Sequence, residues 1–176
     1  MRSFSLLAVL FCCSTYVLAD VPVAMNCPDG WKWFKRSRGG WCMKVYSGSM
    51  NNAAAEAKCQ AEGATIAGVQ NNEEIAWMGT AIQAITGTRD TLWIGAKRTK
   101  LCQTAKLTQE CSATSSFYWT DKSTVGVQGF VWQQGEPNNG QAGQDCIQLV
   151  TKDSNMDDLG CSAVCMGYVC GKIATF

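Results

Sequence analysis

Eleven cysteines are spread through this 176-residue chain, and no histidine accompanies them. Cysteines at that density are disulfide partners or metal ligands. No two stand in a C-x-x-C arrangement, and a chain without histidine lacks a principal zinc ligand, so disulfides are the stronger reading. Disulfides need an oxidising compartment, and the N-terminus reads as the route to one. Met1 to Ala19 carries one positive charge at Arg2, an apolar core from Leu6 to Phe11 continuing to Leu18, and the β-branched or small residues Val17 and Ala19 before Asp20. That pattern is expected to be a cleaved secretory signal spanning residues 1–19, which makes the mature protein secreted and extracellular. Cys12 and Cys13 leave with it. Nine cysteines remain, an odd number, so at least one thiol is free or bonds to another molecule.

Removing 19 of 176 residues leaves 157, enough for a single domain over residues 20–176 but hardly for two. Lys and Arg number 15 against 14 Asp and Glu, and losing Arg2 brings the formal charge to zero. A neutral chain has no broad electrostatic grip on nucleic acid or membrane. No segment after the leader approaches the roughly 20 apolar residues that span a bilayer, so no membrane insertion is expected.

Cys27 to Cys42 encloses an aromatic, basic segment that reads as a stapled hairpin. Its Lys32, Lys35, Arg36 and Arg38 read as a solvated face. Ser49 can cap a first helix running through Asn52 to Cys59 and stopping at Gly63, with Cys59 on its inner side. Asn72 followed by Glu73 and Glu74 gives a cap and an acidic first turn. Ile75, Met78, Ile82 and Ile85 then recur at helical spacing before Gly87. Leu92 to Ala96 reads as a buried strand. Beyond Lys97 the chain is loop-like, with short β-like runs at Phe117–Trp119, Phe130–Trp132, Cys146–Val150 and Gly167–Cys170. Trp93, Trp119 and Trp132 read as core residues beneath those loops.

Several of these pieces together resemble a C-type lectin-like domain. They are Cys59 with Gly63-Ala64 and Ile66-Ala67, Glu73 and Glu74, Trp93-Ile94-Gly95, Trp119 with Asp121, Trp132, Glu136-Pro137-Asn138, Asp145-Cys146, Asp157-Asp158 with Cys161, and Tyr168-Val169-Cys170. The resemblance covers nearly all of Cys27 to Lys172 and implies a disulfide-stapled α+β double-loop fold, two helices with small antiparallel sheets. It also implies the pairings Cys59–Cys170, Cys146–Cys161 and Cys27–Cys42. Cys102 and Cys111 then pair locally, and Cys165 is left over, open to linking two chains as a disulfide dimer.

In sugar-binding members of that family one calcium is held at the Glu-Pro-Asn loop. Carried onto this chain, its ligands are Glu136, Asn138, Gln144, Asp157 and Asp158, with Pro137 following a cis bond that turns its neighbours toward the metal. Calcium, Ca²⁺, is the one cofactor implied, at a single site, since Asn139 and Gln144 weaken an accessory one. Gln144 replaces a family Glu and Asp157 a family Asn, so three carboxylates and two amides persist. Two vicinal sugar hydroxyls would bind the metal, one meeting Glu136 and Asn138, the other Asp157 and Gln144. The Glu-Pro-Asn order resembles the mannose-type pattern, implying glycans or glycoproteins bearing mannose, N-acetylglucosamine or fucose as partners.

Three other readings compete. Asp153-x-Asn155-x-Asp157 starts like an EF-hand, but Asp158 stands where that loop needs Gly and Val164 where it needs Glu. A missing histidine, with no phosphate-cradling loop, argues against an enzyme. The serious rival is a C-type lectin-like domain that binds a protein partner, or calcium alone, without sugar. Gln144 and Met156, which stands where the family usually has Trp, favour that rival.

Overall fold

The computed structural model describes residues 26–104, 108–140 and 142–175. The leader expected over residues 1–19 lies outside them. The first hairpin is β1 (Lys32–Arg36) and β2 (Gly39–Met50), paired antiparallel with Trp33 opposite Cys42. Helix α1 (Asn52–Ala61) follows at once, then β3 (Thr65–Ile66) and α2 (Asn72–Thr86). The remaining strands are β4 (Thr91–Arg98), β5 (Phe117–Trp119), β6 (Cys146–Val150), β7 (Asn155–Leu159) and β8 (Cys165–Ile173). The sheet runs β1-β2-β8-β4-β6-β7, with β3 paired to β8 and β5 to β4. Every pairing is antiparallel except that of β4 with β8. Two helices and disulfide-linked strands make this an α+β fold.

Both helices lie where expected, each with its cap one or two residues away from the expected one. Asn51, not Ser49, caps α1 by accepting from the Ala54 N–H at 2.9 Å, because β2 runs on through Ser49 to Met50. Asn71, not Asn72, caps α2 by accepting from the Glu74 N–H at 3.1 Å. Gly87 ends α2 in the left-handed region, at φ 79°, where a side chain would be strained. Ile75, Met78 and Ile82 form its buried stripe, whereas Ile85 is exposed.

Strand β4 is buried along almost its whole length, which is why it reads as an apolar run without alternation. Gly95 is required there. A Cβ at this position would lie 2.1 Å from the Ile66 carbonyl oxygen, and its N–H donates to Ala67 O at 2.7 Å. The segment after β3 therefore crosses β4 at backbone contact.

All four disulfides implied by the resemblance are present: Cys27–Cys42, Cys59–Cys170, Cys102–Cys111 and Cys146–Cys161. Among the described residues Cys165 is the free cysteine, and it is fully buried. Burial overturns the expectation that it links two chains, since a thiol with no exposed surface cannot meet a second molecule in this fold.

Arg36 also departs from expectation. It is not on a solvated face but 4% exposed, its guanidinium bonded to Glu74 Oε1 at 2.9 Å and Oε2 at 2.7 Å and to Asp121 Oδ2 at 3.0 Å. Strand alternation explains it: Phe34 and Arg36 point inward from β1 while Trp33 and Lys35 point out. Asp121 in turn accepts from the N–H groups of Gly68, Ser123 and Thr124. One ion-pair network thus ties β1, α2 and the loop after β5 together.

Candidate functional site

The site is built on the edge of the sheet. Strand β7 pairs with β6 on one side, and its other side is taken by the incoming loop: Met156 N–H donates to Val131 O at 2.7 Å and Gln133 N–H to Met156 O at 2.9 Å. This one-residue bridge is what becomes of the β-like run at Phe130–Trp132. It covers an edge that would otherwise leave backbone groups unpaired. It also delivers Glu136 and its neighbours to the carboxylates of β7. Met156, between them, is fully buried in the core, so it offers nothing to a ligand.

The Glu136–Pro137 bond is cis. Single ligand oxygens of Glu136, Asp157 and Asp158 all lie within 4.8 Å of one another. Asp157 and Asp158 are adjacent on a strand and differ in burial accordingly. Asp158 is fully buried and Asp157 half-buried, accepting from Gln148 Nε2 at 3.0 Å across the β6–β7 ladder. Asp158 accepts from Asn138 N–H at 3.0 Å through Oδ1 and from Asn139 N–H at 2.8 Å through Oδ2. Oδ2 also meets Arg98 Nη2 in a buried ion pair.

Asn138 links two halves of the expected cage. Its Nδ2 donates to Glu136 Oε1 at 2.7 Å, and its Oδ1 faces Gly140, as does Oε1 of Gln144. Asn138, Gly140, Ala142, Gly143, Gln144 and Gly160 line an open pocket of about 480 Å³. Gln144 Oε1 is buried and has no hydrogen-bond partner among the described residues. Among the described residues no hydrogen bond joins Gln144 to Asp157, so the structure brings Glu136, Asp157 and Asp158 together as one group and Asn138 and Gln144 as an adjoining one.

Charge crowding marks the carboxylate group. Burial pushes the Glu136 carboxyl up to about 7. A hydrogen bond to Asp158 and the charges of Asp157 and Asp158 add to this, and the Asn138 N–H opposes it. Burial also raises Asp157, with Asp158 adding and the Gln148 hydrogen bond opposing. A hard divalent cation suits such clustered carboxylate oxygens with amide oxygens adjoining, one of which is buried without a partner among the described residues.

Three residues here escaped sequence reasoning. Arg98 ends β4 on the face that alternates inward, and only strand register would have marked it. Gln148 is opposite Asp157 only once β6 and β7 pair. Asn139, considered in the sequence for an accessory metal site, is buried, with φ 48°; its Oδ1 accepts from Gly143 N–H and Gln144 N–H, both at 3.1 Å, and its Nδ2 donates to Gln103 O at 2.9 Å. It therefore shapes the loop from within.

A disulfide-stapled α+β domain with a long loop carrying Glu-Pro-Asn onto an acidic edge strand has the architecture of a C-type lectin-like domain. The family model described as C-type lectin domain-containing protein 141/158 matches residues 34–172, and the chain belongs to that family. The galactose-specific lectin nattectin of Thalassophryne nattereri is 24% identical over 147 residues, 84% of this chain and 80% of that protein. A calcium-independent type II antifreeze protein is similar in structure, with TM-score 0.63 and 26% identity, over 88% of this chain and 99% of that one. The cow CD23 C-type carbohydrate-recognition domain, solved in the presence of GlcNAc2Man3, shares the fold at TM-score 0.63 and 21% identity, over 87% and 100% of the two chains.

Proposed function

We propose that this protein is a secreted, non-catalytic lectin that binds glycans through one calcium ion held by Glu136, Asn138, Gln144, Asp157 and Asp158. The observation that carries the reading is the convergence of three carboxylates within 4.8 Å beside two amide side chains on an accessible loop. The chain's own residues would orient the sugar. Glu136 and Asp157 offer acceptors to hydroxyl hydrogens, while Asn138 Nδ2 and Gln148 Nε2, each already bonded to one of those carboxylates, are the adjacent donors. When bound, calcium would supply direct coordination of two hydroxyl oxygens. Export is supported by four disulfides, which form and persist outside reducing compartments. No helix among the described residues is long and apolar enough to cross a membrane.

The Glu-Pro-Asn order favours mannose, N-acetylglucosamine or fucose, whereas the nattectin relative is named galactose-specific. Mannose–agarose chromatography in millimolar calcium tests the proposal directly. Retention with release by EDTA is expected; passage through the column at that calcium concentration would sink sugar binding. Elution by galactose in preference to mannose would keep the lectin reading and reverse the specificity. A second reading, a domain that binds a protein partner without calcium or sugar, is favoured by the buried Arg98–Asp158 pair and by the calcium-independent antifreeze relative.

A further inference from the structure

We infer that Arg98 is a built-in cation of the candidate site, holding the Glu136–Asn139 loop in place without calcium and so uncoupling calcium binding from loop order. A fully buried carboxylate such as Asp158 needs a counter-charge, and Arg98, 4% exposed, provides one that stays protonated at any working pH. The guanidinium is fixed from several directions. Its carbon lies 4.4 Å from the centre of the Phe117 ring on β5. Its Nε donates to Gln144 O at 2.9 Å and lies 3.7 Å from Asp145 Oδ1, and its Nη2 reaches Asp158 on β7. Asp158, so held, receives the N–H groups of Asn138 and Asn139. Both arms of the loop, 136–139 and 144–145, are therefore anchored on one Arg–Asp pair made entirely of this chain's atoms.

Arg98 also limits how the metal can use Asp158. Oδ2 is already shared between Arg98 and Asn139 N–H, whereas Oδ1 accepts the Asn138 N–H, which is itself shared with Glu136 Oε2. Calcium at Oδ1 would share its carboxylate with a guanidinium, and the like charges weaken its hold. The statement about calcium affinity rests on the proposed calcium site; the statement about loop order does not.

Amide hydrogen exchange at Asn138 and Asn139 tests the inference on the wild-type protein alone. Protection in EDTA within about twofold of that in millimolar calcium is expected, and loss of protection in EDTA by about tenfold or more would overturn it. Arg98→Met, which keeps an apolar stem against Phe117, is expected to exchange at least about tenfold faster in EDTA and to recover protection when calcium is added. If that variant stays as protected as wild type in EDTA, Arg98 is not the anchor. A wild-type protein that passes through mannose–agarose yet stays protected in EDTA would remove the sugar reading and leave this inference standing.

Discussion

Arg36 and Glu136 are both charged residues taken partly or wholly out of water, and they respond oppositely. Arg36 has its partners: Glu74 and Asp121 are themselves 1% and 6% exposed, so Arg36→Met would leave two buried carboxylates without a cation. That change is expected to cost about 3–5 kcal/mol, read from the midpoint of urea unfolding. Glu136 instead meets like charges. A carboxyl raised to about 7 holds its proton more tightly folded than unfolded, so its contribution is greatest at acid pH and is lost as pH rises toward 7. The calcium-free protein should accordingly melt at falling temperature between about pH 5 and about pH 8, and Glu136→Gln should flatten that slope. In the presence of calcium the same proton competes with the metal, so Glu136→Gln should also shrink the calcium-induced rise in melting temperature seen at neutral pH. An unchanged rise would remove Glu136 from the ligand set.

Among the elements, α2 and β4 each rest on a feature that one substitution can isolate. Asn71→Ala removes the side chain capping α2 and is expected to cost about 1 kcal/mol in denaturant unfolding. Gly95→Ala drives a Cβ into the Ile66 carbonyl, a backbone atom that cannot rotate away. A loss of about 3 kcal/mol is expected, at the upper end for overpacking. Helix α2 was legible because its apolar spacing, acidic first turn and terminal Gly87 agree with one another. Strand β7 was not, because Asn155–Leu159 is polar and its pairing partners lie on β6 and on the distant loop at Val131–Gln133. An edge strand whose side chains serve a site carries little hydrophobic alternation to read.

Across the whole molecule the disulfides differ in reach. Cys59–Cys170 closes 111 residues and Cys102–Cys111 only 9. On the chain-entropy model the first contributes about 4–5 kcal/mol and the second about 2–3. Replacing both Cys59 and Cys170 by Ala should therefore lower the unfolding free energy by roughly 2 kcal/mol more than the same treatment of Cys102 and Cys111. Cys165 is expected to react with an alkylating reagent only under denaturing conditions, and the protein to run as a monomer on a non-reducing gel. Burial pushes its thiol up to about 12, further suppressing the reactive thiolate.

What the sequence by itself determined was what is local or strongly ordered along the chain: two capped helices, a buried apolar strand, and a cysteine set whose order resembles one family. The expected site residues were legible too, as oxygen donors at family spacing. Only the tertiary structure decided which charges those donors meet. Arg36 joins Glu74 and Asp121 across 38 and 85 residues, and Arg98 joins Asp158 across 60. Partners so distant leave no periodicity, cap or spacing in a linear chain, because Coulomb energy and burial depend on separation in space. The same holds for Cys165, which the resemblance left unpaired but whose burial only packing could establish.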